Sequence, residues 1–381
     1  MSFINGTNGV EGTNGVNGAR DVLPLPMVPE EITAEWLGKV LQQKVKSIDI
    51  TNSILDATAS KIFVTITYED ENDSTPKPTY VCLKGGFNPA MLNLEGYSDI
   101  LKLMYSREVK FFNLVAPKLS NISLPKLWWA GENPVQGQAI VIMDDLSKEH
   151  TFGDPVDDWS VDRVRSGLEQ LAGLHAGTWG STISGENSWL TPAYEHVMIG
   201  LTMNWEAMVL GDDRPPIPES IRVRERTVAA MKKHFATKNP KYVAVLHGDP
   251  HSGNTFLDKA GKPYFLDWQT NHIGCAFHDV TYFMIGALSV EDRRAHEVEL
   301  FSHYLQALAK AGGPSLSVED EELMKEYKKS TMCGMGWILT PYQMQRKDRV
   351  WAMCARYTAA MEDHKVIELV ESLPEPSEQQ M

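Results

Sequence analysis

The segment HGDPHSGN, residues 247–254, places two histidines, an aspartate and an asparagine within eight positions. Its proline and glycines are typical of a loop rather than a helix. The H-x-D-x-H spacing of His247, Asp249 and His251 would suit the ligands of a transition metal. An aspartate with a nearby asparagine would instead suit proton transfer beside a hard metal ion. A third interpretation is a polar turn that carries no chemistry.

The spacing between Asp249 and Asn254 favours proton transfer. Four residues separate them, as in the catalytic loop H-R-D-x-x-x-x-N of protein kinases. In that loop the aspartate accepts the proton of the substrate hydroxyl, and the asparagine amide oxygen is a neutral ligand for magnesium. The preceding run YVAVLHGD is typical of a strand, so we expect Asp249 where a strand ends and a loop faces a cleft.

Phosphoryl transfer to a hydroxyl also needs a second carboxylate for the metal and a lysine for the nucleotide phosphates. Asp267, in YFLDWQ, follows Asn254 by thirteen residues and ends another strand-like run. Lys84 ends the strand-like run TYVCLKGG, and Glu108 lies in the helical run SREVKFF that follows. Alone, such a lysine or glutamate is usually a solvated surface charge. The ordered set, together with Asp249, predicts a phosphotransferase site.

The elements that position these residues change in character along the chain. Strand-like runs such as KIFVTITYED and QAIVIMDDL dominate the first part, whereas the long amphipathic helix VDRVRSGLEQLAGLHAGTWG opens a mostly helical second part. This order predicts an α+β protein of two lobes with a cleft between them. We expect a nucleotide-binding N-lobe over residues 23–143 and a helical C-lobe over residues 144–381. The Asn/Gly-rich residues 1–22 are predicted to be a disordered tail.

Composition excludes several classes of function. A net charge of −14 over 381 residues disfavours nucleic acids and anionic membrane surfaces as partners. Four cysteines without a CxxC pair predict reduced thiols rather than a disulfide framework or a zinc ribbon. The sequence shows no apolar run of transmembrane length and no secretory signal, which predicts a cytoplasmic protein. P-loop, nucleophile-elbow, HExxH and GxGxxG motifs are absent.

Seven segments together resemble the aminoglycoside phosphotransferase and choline kinase superfamily, and most closely its ecdysteroid-kinase-like branch. They lie in the family's order between residues 80 and 284: YVCLK, REVKFFN, IVIMDDL, LAGLHAGTW, HGDPHSGN, FLDWQ and GCAFHDVTYFM. The glutamine of DWQ and the LHA helix favour that branch over the choline kinases proper. The resemblance implies a protein-kinase-like fold that binds ATP and Mg²⁺ between its lobes.

The resemblance also implies roles for individual residues. Asp249 would be the catalytic base or orient the acceptor hydroxyl, and Asn254 and Asp267 would bind magnesium. Lys84 would contact the ATP phosphates and pair with Glu108. The remaining assignments are adenine recognition by the backbone at Met143 and Asp144, and structural support of the catalytic loop by His247, His251 and Asp279. For Asp279, capping of the helix DVTYFMIGAL is a sufficient explanation without chemistry.

The chain departs from the family at the turn that covers the phosphates. This turn often contains glycines, but LDATASKIFVTITY has none. Ala57, Ala59 and Ser60 are small enough for the backbone to approach a phosphate. Ser60 or Lys61 would supply a side-chain contact.

Three functions follow from these observations. The first is a small-molecule kinase that transfers the γ-phosphate of ATP to a hydroxyl of a small metabolite. The second is a kinase-fold protein without phosphotransfer, either a binding module or a repurposed cyclase or isomerase, which the glycine-free turn favours. The third is a metal-dependent hydrolase built on His247, Asp249 and His251. For the first, apolar polycyclic alcohols and cationic amino alcohols both stay open as acceptors.

Overall fold

The first part of the chain forms an antiparallel sheet of five strands, in which the fifth strand along the chain lies between the third and the fourth. A computed structural model describes residues 23–55, 58–70, 74–93 and 98–375. The predicted tail over residues 1–22 and Ala57 lie outside these ranges. The five strands are β1 Val45–Ile54, β2 Ser60–Tyr68, β3 Tyr80–Gly85, β4 Leu127–Asn133 and β5 Gln138–Asp144.

The two faces of this sheet bury different sets of residues, because side chains alternate along a strand. Ile62 of β2 and Leu83 of β3 lie in one apolar cluster with Leu37 of helix α1, Ala34–Leu41. Cys82 of β3 and Met143 of β5 lie in a second cluster, shared with the helical part of the chain. The side chains of the second face therefore point at the remainder of the protein.

The second part of the chain is mostly helical, as the sequence predicts. The amphipathic helix predicted from residue 161 is confirmed as α4, Val161–Thr178, and Ser160 caps its first turn. Helix α9, Ala276–Ala287, is buried along all twelve of its residues and packs against α4. After α1, the helices are α2 Pro89–Leu92, α3 Ser98–Lys110, α4 Val161–Thr178, α5 Ala193–Leu201, α6 Trp205–Val209, α7 Glu219–Arg222, α8 Arg224–Ala236, α9 Ala276–Ala287, α10 Val290–Lys310, α11 Glu321–Ser330, α12 Met335–Ile338, α13 Lys347–Asp363 and α14 Val366–Glu371.

Short strands in the helical part carry the polar segments. The predicted strand-like runs around residues 243 and 263 are confirmed. These strands are β6 Thr151–Phe152, β7 Val243–Leu246, β8 Thr255–Leu257, β9 Pro263–Phe265 and β10 His272–Cys275, paired as β7–β10 and as β6–β8–β9. Within the described ranges, no helix combines the length and apolar character needed to cross a membrane.

Candidate active site

The loop that follows β7 has a conformation that requires glycine at residue 248. Gly248 has a φ of +87°, and a Cβ there would lie 2.5 Å from the carbonyl oxygen of Thr270. Backbone hydrogen bonds from His251 to the carbonyl of Asp249 and from Asn254 to the carbonyl of His251 then close the loop. The loop therefore presents Asp249 and Asn254 from a tightly turned, hydrogen-bonded backbone.

The Asp279 carboxylate binds the start of this loop through two backbone hydrogen bonds. Its Oδ2 accepts the N–H of His247 at 2.6 Å, and its Oδ1 accepts the N–H of Gly248 at 3.0 Å. The helix-capping explanation was wrong, because α9 begins three residues earlier, at Ala276, and its N-cap is Cys275. Local sequence did not reveal the earlier start, since the N-cap residue Cys275 forms no side-chain capping bond.

A buried histidine completes the support of Asp279. His175 of α4 bonds through Nε2 to Asp279 Oδ2 at 3.2 Å and through Nδ1 to the Tyr304 hydroxyl at 2.8 Å. Burial alone would raise the pKa of Asp279, but the hydrogen bond and charge of His175 outweigh it and lower that pKa to about 2. The carboxylate is therefore ionised at every physiological pH.

The two histidines of the loop lie in buried surroundings. Nε2 of His247 lies 2.7 Å from the carbonyl oxygen of Leu266, and its Nδ1 accepts the N–H of Asp249 at 3.3 Å. Burial lowers the pKa of His247, and it lowers that of His251 to about 3. Both imidazoles are therefore neutral at physiological pH.

Because both nitrogens of His247 are already engaged, this residue is poorly placed to bind a transition metal. Within the described ranges, no group of three His, Cys, Asp or Glu side chains is arranged to hold a metal ion.

Asp249 lies beside Asn254 in the loop that follows β7. Nδ2 of Asn254 donates to the backbone oxygen of Asp249 at 2.9 Å and to its Oδ2 at 3.2 Å. Burial raises the pKa of Asp249 to about 7, although hydrogen bonds from Tyr282 and Asn254 favour the ionised form. A pKa close to the operating pH favours general acid–base catalysis.

Lys84 lies between two carboxylates from different parts of the chain. Its Nζ is 2.8 Å from Glu108 Oε2 of α3 and 2.7 Å from Asp267 Oδ1, and only 5% of its side chain is exposed. Burial opposes the charge of Lys84, but Asp267 and Glu108 outweigh it and raise its pKa. The backbone N–H of Trp268 also donates to Glu108 at 3.1 Å. The three charged groups predicted from the sequence are thus in direct contact.

Asp267 adopts a backbone conformation that is uncommon for its residue type. Its φ is +64°, in the left-handed region, where a residue other than glycine stores strain that surrounding contacts must offset. The next residue, Trp268, provides such a contact by stacking on Phe111 at 4.1 Å. Asp267 is therefore held in one orientation toward Lys84.

The two residues predicted to recognise adenine, Met143 and Asp144, lie at the end of strand β5. Met143 pairs with Cys82 on one side and with Leu127 on the other. The N–H of Asp144 donates to the carbonyl of Lys126, and its side chain accepts the Trp128 indole N–H at 2.6 Å. Recognition of adenine by the backbone at these two residues stays a prediction.

Ser60 and Lys61 begin strand β2. Ser60 is buried and pairs with Gly85, whereas Lys61 is half-buried and pairs with Lys84. A contact from Ser60 to a phosphate likewise stays a prediction.

Sequence reasoning missed one residue that contacts the site and one that anchors the element carrying Glu108. Tyr282 bonds to Asp249. It lies three residues after Asp279 on α9, a helical spacing that would have placed both on one face. Arg107 precedes Glu108 and donates to the carbonyl oxygens of Asn271 at 2.7 Å and Thr191 at 2.6 Å. No local pattern marks Arg107, because its partners are distant in the chain.

Comparisons with known proteins bear on the fold and the family. Among solved structures, the chain is similar to a choline kinase from Cryptosporidium parvum Iowa II, with 11% identity, a TM-score of 0.53, and coverage of 91% of this chain and 94% of that one. It is also similar to the amicoumacin kinase hAmiN in complex with AMP-PNP and Ca²⁺, with 16% identity, a TM-score of 0.50, and coverage of 87% and 94%. At such identities the likeness establishes the fold alone, and it confirms the predicted protein-kinase-like fold.

The sequence comparisons give the family. No curated protein matches the chain significantly. The model of the ecdysteroid kinase-like family matches residues 56–312, which is more than half of the chain. The chain therefore belongs to the ecdysteroid kinase-like family.

Proposed function

We propose that the protein is a phosphotransferase that uses Mg²⁺ and ATP to phosphorylate a hydroxyl group of a small molecule. The observation that carries this proposal is the contact of Lys84 with both Glu108 and Asp267, whose charge in turn acts on Asp249. These groups come from the sheet, α3 and the two polar loops. Their convergence matches the set of groups that phosphoryl transfer uses.

The donor atoms suit the metal that this chemistry uses. The carboxylate of Asp267 and the amide oxygen of Asn254 are hard oxygen ligands, which Mg²⁺ prefers. When bound, ATP would supply the phosphoryl group, and Mg²⁺ would neutralise the charge that develops on the phosphate oxygens. Asp267 and Asn254 would hold the metal, and Lys84 would contact the phosphates.

Asp249 would orient the acceptor hydroxyl and take up its proton. With a pKa of about 7, it is substantially ionised at neutral pH and still basic enough to accept a proton. Positioning and charge neutralisation supply most of the acceleration in such a reaction. The rigid loop backbone supports the positioning.

A kinase-fold protein without phosphotransfer is the second candidate, and the glycine-free turn before β2 favours it. A backbone that lacks glycine approaches phosphates less closely. The presence of Asp249, Asn254, Asp267 and Lys84 opposes this candidate, since each has a use in catalysis.

A cytoplasmic location would suit either candidate, because the four cysteines are unpaired.

Calorimetric titration with Mg-ATP, followed by a screen of hydroxylated metabolites, tests the proposal. We expect Mg-dependent ATP binding and, for at least one metabolite, a product heavier by one phosphate in the mass spectrum. Asp267→Ala should remove the metal dependence of nucleotide binding, and Asp162→Ala, an exposed carboxylate of α4, is the matched control. Absence of nucleotide binding by the wild-type protein would refute the proposal. ATP binding without any phosphorylated product would favour the second candidate.

A further inference from the structure

Lys61 lies directly opposite Lys84 in the sheet. Strands β2 and β3 are antiparallel, and the register pairs Lys61 with Lys84 and Ile62 with Leu83. Directly opposed residues project from the same face, with their Cβ atoms about 5 Å apart. Since Ile62 and Leu83 are buried on the α1 side, both lysines project from the opposite face, toward the helical part of the chain.

The two lysines differ in how their charges are balanced. Lys84 contacts Glu108 and Asp267. Lys61 is half-buried and makes no ion pair with any residue in the described part of the chain. Since Lys84 already has two carboxylate partners and Lys61 has none among the residues that the structure describes, the charge of Lys61 is available to a bound anion.

The charge of Lys61 also acts on the metal-binding side of the site. Burial opposes ionisation of Asp267, and the charges of Lys84 and then of Lys61 lower its pKa. Lys61 is therefore within electrostatic range of Asp267 as well as opposite Lys84. Lys61 is the second residue of β2, and it follows the turn that lacks glycine.

We propose that Lys61 is a second phosphate-binding cation, which contacts the terminal phosphates of the nucleotide together with Lys84. This inference rests on the proposed function. In a glycine-rich turn, backbone N–H groups bind the phosphates. In this chain, an ammonium group on a flexible stem replaces part of that contribution as a point charge. The glycine-free turn is then a different solution to phosphate binding and not a loss of it.

A comparison of Lys61→Met with Lys61→Arg tests the inference by calorimetric titration with Mg-ATP and with adenosine. Methionine keeps most of the side-chain length without the charge, and arginine keeps the charge. We expect Lys61→Met to weaken Mg-ATP binding about ten-fold or more, to leave adenosine binding unchanged, and Lys61→Arg to retain most of the Mg-ATP affinity. Lys46→Met, an exposed lysine of β1, should match the wild-type protein for both ligands.

The outcomes separate this inference from the proposed function. Wild-type Mg-ATP binding with equal binding by Lys61→Met would overturn the phosphate role of Lys61 and leave the proposed function intact. An equal loss of adenosine and Mg-ATP affinity in Lys61→Met would show a structural effect and would also overturn it. If the wild-type protein binds neither ligand, both proposals fail. Thermal unfolding of each variant establishes that it is folded.

Discussion

The fully buried Asp279 carboxylate provides a test of how the catalytic loop is held. Asparagine in its place keeps one oxygen, so one of the two backbone N–H groups of His247 and Gly248 loses its acceptor. Leaving a buried donor unpaired costs about 1–3 kcal/mol. The pKa of Asp279 falls from its ordinary 3.8 to about 2 in the folded protein, which corresponds to about 2 kcal/mol. These contributions overlap, so we expect Asp279→Asn to lower the free energy of unfolding by about 3 kcal/mol at pH 7.

The pH dependence of this loss in the free energy of unfolding distinguishes a contribution of the ionised carboxylate from one of side-chain packing. Because the folded pKa of Asp279 is depressed, its stabilisation is complete above about pH 5 and is lost as pH falls toward 2. Urea unfolding of the wild type and Asp279→Asn should therefore show a difference that shrinks by about 2 kcal/mol between pH 7 and pH 2. Asp162→Asn, at an exposed carboxylate, should show little difference at any pH. A difference below about 1 kcal/mol at pH 7, or one independent of pH, would refute the reasoning.

Three further substitutions test the remaining contacts. Asp249→Asn should abolish product formation measured by mass spectrometry while Mg-ATP affinity stays within about three-fold, and an active variant would disprove the role as base. Glu108→Gln leaves Lys84 with a single carboxylate, so kcat/KM should fall by at least about ten-fold, and an unchanged kcat/KM would show that the pair is dispensable. Arg107→Lys cannot reproduce the guanidinium bonds to Thr191 and should cost about 1–3 kcal/mol in thermal unfolding. An unchanged melting temperature would contradict that estimate.

Local spacing was enough to predict the loops that carry the site. The Asp249 loop and the Asp267 loop each follow a strand, and period-two alternation with β-branched residues marks strands in a sequence. The same patterns predicted the sheet, the α4 helix and the change to helical structure. The kinase-like spacing then predicted that Lys84 and Glu108 would meet, and the structure brings them together.

The features that the sequence did not predict depend on register and on long-range contacts. Opposition of Lys61 to Lys84 follows from the register of β2 against β3, which no local pattern fixes when both strands are regular. Arg107 reaches a carbonyl 84 residues away along the chain. The support of the loop by Asp279 followed only from the family resemblance, because its bonds to the N–H groups of His247 and Gly248 join residues 32 and 31 positions apart. Each of these depends on tertiary packing, which local propensity does not encode.

The surroundings of the two aspartates explain why the same residue type suits two different tasks. Asp267 contacts Lys84, and although burial opposes its ionisation, the charge of Lys84 lowers its pKa. It therefore stays ionised near neutral pH and is suited to hold a cation rather than to accept a proton. Burial instead raises the pKa of Asp249 to about 7, and its hydrogen-bond partners Tyr282 and Asn254 are uncharged. Environments that push the pKa values of two carboxyl groups apart are how acid–base roles become distinct, which supports Asp249 as the base and Asp267 as the metal ligand.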